Sequence, residues 1–162
     1  MIFVTVGTQD KQFTRLIRAV ENAVITGKII DEVIIQAGNT EYESEYLKVL
    51  NYIPFDEFNK YLESADIIIT HGGVGSILNA LKLKKKIIAL PRLQKYGEHI
   101  NDHQLQVVKK MTDKGYILSC KNEDELADKI KEAESFTVKE YNSNTESFIT
   151  AFKHILDETL GI

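Results

Sequence analysis

Ala65-Asp66-Ile67-Ile68-Ile69-Thr70-His71-Gly72-Gly73-Val74-Gly75-Ser76 is the stretch on which the fold turns. Asp66–Thr70 is a nearly continuous apolar run of the kind found in a central strand buried on both faces, rather than the alternation of a strand with one wet side. It breaks into three glycines within four residues, and a helical pattern then runs from about Val74 to Leu83. A strand that feeds a helix through glycines is one unit of a parallel sheet covered by helices.

The same unit recurs on either side. Ile2–Val6 reads as the first strand and Gly7 as its turn, after which Phe13, Leu16, Ile17, Val20 and Val24 fall at helical spacing. Val33–Gln36 is a second strand, cut off by Ala37-Gly38-Asn39. A weaker strand around Leu47–Tyr52 stops before Pro54, and Phe58, Tyr61 and Leu62 mark a short helix. Strand Lys86–Leu90, helix Asn101–Met111, strand Tyr116–Ser119 and helix Glu123–Glu134 follow. The alternation predicts an α/β fold, a Rossmann-like parallel sheet with helices on both faces, as a single domain over residues 1–162. Phe148, Ile149, Phe152, Ile155, Leu156 and Leu160 lie at helical spacing after a polar stretch. They predict an amphipathic C-terminal helix over 142–160 that packs on its own sheet or reaches toward a partner chain.

Composition narrows the function. The single cysteine, Cys120, rules out an intrachain disulfide framework and suits a reducing compartment, where it reads as a small core residue. The amino terminus lacks a basic stretch followed by a long apolar run, and no segment approaches the ~18 apolar residues of a membrane span, so a cytoplasmic protein is expected. A net charge of -4 argues against a nucleic-acid partner. The local run Lys82, Lys84, Lys85, Lys86 is either a solvated helix end or a contact with an anionic membrane or partner.

In open parallel sheets, ligands sit beyond the carboxyl ends of the strands. The loops there begin Gly7-Thr8-Gln9, Gly38-Asn39-Thr40, His71-Gly72-Gly73-Val74-Gly75-Ser76 and Arg92 onward to Gln104. Glycines where a strand turns into a helix let a ligand approach the backbone, and the free N–H groups of the helix end then face an anion. A diphosphate suits such a loop. His71 and Ser76 offer side-chain donors, and Asn79 shares the helical face of Ser76. A glycine-rich turn with a capped helix is the plainer account. The dinucleotide fingerprint fails because Leu78 stands where its third glycine belongs, and no P-loop motif occurs.

Polar groups also crowd Lys95-Tyr96-Gly97-Glu98-His99-Ile100-Asn101-Asp102-His103-Gln104. Asp102 accepts and Gln104 both accepts and donates, a pairing suited to sugar hydroxyls; a capping box with Asn101 as N-cap competes. His99 and His103 are four apart but lack an acidic third ligand, so no metal is expected there.

These residues resemble a known family. Gly7-Thr8-Gln9, the stretch Ala65 to Ser76, and Glu98-His99-Ile100-Asn101-Asp102-His103-Gln104 are similar to the C-terminal domain of family 28 glycosyltransferases, over roughly Met1 to Tyr116. The likeness is strongest to its small split members, the catalytic subunit of the dolichol-pathway UDP-GlcNAc transferase and the PssE-like capsule and exopolysaccharide proteins. It implies the donor-binding half of a GT-B enzyme, with a membrane-anchored partner bringing a lipid-linked acceptor and holding this chain peripherally at the membrane. By position it implies that Thr8 and Gln9 flank the diphosphate, that Gly72, Gly73, Gly75 and Ser76 line it, and that His71 faces the phosphates. Asp102 and Gln104 would hold the sugar, with Glu98 and Asn101 beside them, and Tyr52 and Ile53 the uracil. Many relatives place a carboxylate for the ribose where this chain has Asn79.

The resemblance further implies an inverting, metal-independent hexosyltransferase active with its partner, in keeping with the absence of a D-x-D pattern. His71 and Thr8 would aid leaving-group stabilisation, and a UDP-sugar would be the substrate with no separate cofactor. Galactose is the favoured sugar and capsule or exopolysaccharide synthesis the favoured setting. A UDP-GlcNAc transferase subunit, or a non-catalytic UDP-sugar-binding or stimulatory subunit, is the alternative.

Overall fold

A computed structural model describes residues 1–139, 150 and 153–158. Its six strands are all parallel, in the order β3-β2-β1-β4-β5-β6. They are β1 (Ile2–Thr5), β2 (Val33–Gln36), β3 (Lys48–Leu50), β4 (Ile67–Thr70), β5 (Lys86–Ala89) and β6 (Leu118–Ser119). The helices are α1 (Thr14–Ile25), α2 (Phe55–Ser64), α3 (Val74–Lys82), α4 (His103–Asp113) and α5 (Leu126–Ser135). The chain grows outward from β1 to β3, returns, and grows the other way from β4, so the order reverses between β1 and β4. A crevice opens at such a reversal because the loops leaving the two strands diverge.

Strand side chains alternate between two cores. Ile2, Val4, Ile35, Ile69 and Ile88 meet Leu16, Ile17 and Val20 of α1 and Leu126 and Ile130 of α5 on one face. Phe3, Ile34, Ile68 and Ile87 meet Leu62 of α2, Ile77 and Leu81 of α3, and Val108 and Met111 of α4 on the other. Burial on both faces is why β4 reads as an unbroken apolar run.

Differences from the sequence-based expectation fall at element ends. The helix expected from Asn101 begins at His103, because the Asn101 side chain accepts from the His103 N–H at 3.1 Å and ends the loop there. The helix expected from Glu123 opens as a 3-10 turn over Glu123–Glu125, where Asn122 Oδ1 accepts from Asp124 N at 3.0 Å. Tyr116 stays outside β6, since its N–H closes the end of α4 on Met111 O at 3.2 Å.

At 153–158 the chain is helical, and Ile155 is buried with the α2–α4 core while Lys110 of α4 pairs with Glu158 at 3.0 Å. The described part of the expected C-terminal helix therefore packs on its own domain. Phe148, Ile149, Phe152 and Leu160 lie outside the described residues. Lys85 and Lys86 donate to the carbonyls of Glu63 and Glu134, at the carboxyl ends of α2 and α5. Cations belong there by the helix dipole, so these two lysines cap helices. Cys120 is buried, and desolvation pushes its thiol up to about 12, so it is an inert core group. Among the described residues no helix is long and apolar enough to cross a membrane.

Candidate functional site

At the β1/β4 reversal lies a cleft of about 310 Å³. The β1 loop contributes Gly7, Thr8 and Gln9; the start of α3 contributes His71, Gly73, Gly75 and Ser76; Tyr52 and Ile53 stand opposite. The structure thus brings these nine expected residues together. Thr5, Gln36 and Phe58 also line the cleft and were not expected.

His71 follows β4 directly and is 6% exposed. Its Nδ1 lies 3.2 Å from Thr5 O and 3.3 Å from Thr70 Oγ1. A carbonyl only accepts, so Nδ1 carries the hydrogen and Nε2 keeps its lone pair in the neutral ring. A Cβ on Gly73 would sit 2.3 Å from Nε2, and one on Gly7 2.7 Å from it. Gly7 also has φ +80, so its loop needs glycine twice over. Burial drives the His71 pKa down to about 4, with the charges of Arg92 and His99 in the same direction and the Thr5 bond opposing. At neutral pH His71 therefore shows the cleft an acceptor rather than the donor that the sequence suggested.

The donors come from the backbone instead. α3 starts at Gly73 with extended backbone, φ -65 and ψ 130, and no side chain caps it. Its first N–H groups, which no intrahelical carbonyl reaches, stand at the cleft. A Cβ on Gly75 would meet nothing within 4 Å, so the space above this turn is open. An uncapped helix end under open space suits an anion by geometry and dipole together.

The β1 loop is clamped in place. Asn39 Nδ2 donates to Thr8 O at 3.2 Å and Gln9 O at 2.9 Å, while Asn39 Oδ1 accepts from the Tyr52 hydroxyl at 2.6 Å. On the other side Arg92, 0% exposed, donates to Val6 O and Lys11 O at 2.8 Å each and to Glu98 O at 3.2 Å. Desolvation lowers its guanidinium to about 10, which leaves it charged at neutral pH.

Other expected residues lie outside the cleft. Glu98, 5% exposed, pairs with Arg15 through Nε at 2.9 Å and Nη2 at 2.8 Å and accepts from Leu93 N at 3.0 Å, so its carboxylate is a structural tie. Gly72, φ +90, lies under α4, where a Cβ would meet Val108 Cγ2 at 2.7 Å. Asn79 is half-buried on α3, away from the cleft lining. Asp102 accepts from Gln94 N at 2.9 Å. The capping box does not form: the Asn101 N–H goes to His99 Nδ1 at 3.2 Å, and Gln104 Oε1 is buried without a partner. Among the described residues no cluster could hold a metal ion.

Residues 1–159 match the glycosyltransferase family 28 C-terminal domain. The chain belongs to that family. The UDP-N-acetylglucosamine transferase subunit ALG13 of Candida albicans is 24% identical over 121 residues, 75% of this chain and 37% of that protein. This family 28 domain thus spans little more than a third of that relative. The solution structure of ALG13 superposes with TM-score 0.62 at 21% identity, over 93% of this chain and 94% of that one. The glycotransferase of kitacinnamycin superposes equally well, TM-score 0.62 at 15% identity, over 98% of this chain and 39% of that one. The sheet is thus that of the C-terminal half of a GT-B glycosyltransferase.

Of the residues that line or brace the family 28 cleft without having been expected, Gln36 left a signal. A polar residue closing the apolar strand Val33–Gln36 is out of place unless it is bonded, and it accepts from Thr5 Oγ1 at 2.7 Å. Arg92 left none, because an arginine after a proline in a polar loop reads as solvent-exposed.

Proposed function

We propose that this domain is the donor-binding subunit of an inverting, metal-independent UDP-sugar transferase. The observation that carries this is the uncapped amino end of α3, under open space at the strand-order reversal and faced by the clamped β1 loop. The diphosphate would lie on the Gly73–Ser76 turn and against Thr8, with the uracil toward Tyr52 and Ile53. In transfer, the acceptor oxygen bonds to the sugar C1 as the C1–O bond to the diphosphate breaks, and the hydroxyl proton passes to a base. Charge then grows on the departing UDP, where fixed N–H dipoles stabilise it most. The sugar would extend toward α4, where Asp102 is exposed.

N-acetylglucosamine replaces galactose as the leading sugar. The sequence favoured galactose and a capsule setting, whereas the curated relatives are named UDP-N-acetylglucosamine transferase subunits. Their description as subunits supports a partner chain, which in this reading would bring a lipid-linked acceptor and recruit this domain to the membrane. Calorimetry with UDP, UDP-GlcNAc and UDP-galactose, with and without chelator, tests the donor half. UDP-GlcNAc should bind unaffected by chelator, and radiolabelled sugar should pass to lipid acceptor once the partner is added. Absence of UDP binding would refute the site. Tighter binding and transfer of galactose would restore the first choice of sugar.

A further inference from the structure

The Gln9 side chain reaches across the cleft to the β5–α4 loop, and its Nε2 position lies 2.9 Å from His99 Nε2. The other ring nitrogen settles what that contact is. His99 Nδ1 faces the Asn101 backbone N–H at 3.2 Å. A backbone N–H only donates, so Nδ1 holds a lone pair and the neutral ring carries its hydrogen on Nε2. That hydrogen requires an acceptor, and the only one the Gln9 carboxamide has is Oε1. The two ends of a carboxamide have the same shape, so the donor and acceptor count decides between them. The oxygen belongs on His99, and the NH2 turns away from it.

We propose that His99 is a positioning residue that fixes the Gln9 carboxamide with its NH2 directed into the cleft, as a donor for the diphosphate of the sugar nucleotide. The surroundings leave little else to vary. Asn39 holds the Gln9 main chain through Thr8 O and Gln9 O. Glu98, next to His99 in sequence, is pinned by Arg15 and by Leu93 N. The carboxamide flip is then the free coordinate, and His99 sets it. Both His99 nitrogens are engaged, so His99 has no lone pair left for a metal.

This inference rests on the UDP-sugar reading of the cleft, and the experiment separates the two. UDP affinity is measured by calorimetry for the wild type, Gln9→Ala, His99→Ala, the double variant and His99→Gln. A hydrogen bond to a charged group implies a loss of about tenfold or more for Gln9→Ala. His99→Ala should lose most of the same factor, the double variant should be no worse than Gln9→Ala, and His99→Gln, which restores an N–H donor, should recover most of the affinity. Nitrogen-15 NMR of the imidazole in mildly alkaline solution should show the Nε2–H tautomer.

An unchanged Gln9→Ala, additive losses in the double variant, or an Nδ1–H tautomer would each overturn the role given to His99 while leaving UDP binding in place. If the wild-type protein bound no UDP, the cleft assignment would fall and this proposal with it.

Discussion

Replacing His71 by Asn removes one titrating group from the core while keeping its tie, since an Asn Nδ2 takes the place of Nδ1 and donates to Thr5 O. His71 is held at about 4 in the folded chain against 6.5 when solvated, chiefly by desolvation. The unfolded chain therefore takes up a proton below 6.5 that the folded chain refuses until about 4. Stability supplied by the neutral ring is complete above 6.5 and drains away as the pH falls to about 4. About 2.5 units at 1.36 kcal/mol each amounts to ~3 kcal/mol, a large part of the 5–15 kcal/mol typical of a domain. Urea unfolding followed by circular dichroism at about pH 7 and about pH 4 measures it. The wild type should lose ~3 kcal/mol more than His71→Asn across that interval. Carboxylates such as Asp66, whose pKa the amino terminus of Met1 holds down, titrate in both proteins and cancel in the difference. Equal acid losses in the two proteins would show that His71 is not buried neutral, and the acceptor assigned to Nε2 would fall with it.

Three further perturbations probe the cleft and the loop that borders it. Gly73→Ala adds a Cβ 2.3 Å from His71 Nε2 on a backbone that any residue adopts, so it acts by overpacking alone. It should cost ~1–3 kcal/mol in urea unfolding and weaken UDP binding in calorimetry. Gly75→Ala meets nothing within 4 Å, so its melting temperature should hold or rise while UDP affinity falls; unchanged affinity would mean that the diphosphate does not lie on this turn. Arg92→Met leaves Val6 O, Lys11 O and Glu98 O without their donor and should cost at least ~3 kcal/mol in urea unfolding.

The sheet was legible because its signal is local. Each central strand is an apolar run closed by a turn residue, and each helix shows a spaced apolar face, so the succession of elements along the chain and their type followed from periodicity. Boundaries depended on which atom completes a hydrogen bond, as where Asn101 ends the loop before α4, and periodicity does not carry that. The glycine turn was legible for a related reason: Gly7 and Gly73 are small because His71 lies against both, and a glycine cluster at a strand end advertises close approach. Glu98 misled because a carboxylate in a polar loop looks the same whether it awaits a sugar or neutralises an arginine 83 residues away in sequence. The protonation of His71 was likewise invisible, since it is set by burial and by a carbonyl from β1.

The buried charges explain how the β1 loop, without regular structure, is held in one conformation. From Val6 to Phe13 the chain has no regular structure, and left alone it would sample many conformations. It is gripped from the β2 side by Asn39 and from the β5 side by Arg92, each bonding main-chain carbonyls rather than side chains. A guanidinium buried among carbonyls needs a compensating charge nearby, and Glu98 raises its pKa while itself held by Arg15. Glu98 is therefore spent on holding the loop, and its removal would reach the cleft through Arg92 and the carbonyls that Arg92 holds, and through the neighbouring His99. A diphosphate bound as proposed would meet a loop already in place. If the proposed donor binds here, the ordering cost that would otherwise be drawn from its binding energy is met by the fold, and interactions with the leaving group would be left free to strengthen as its charge develops.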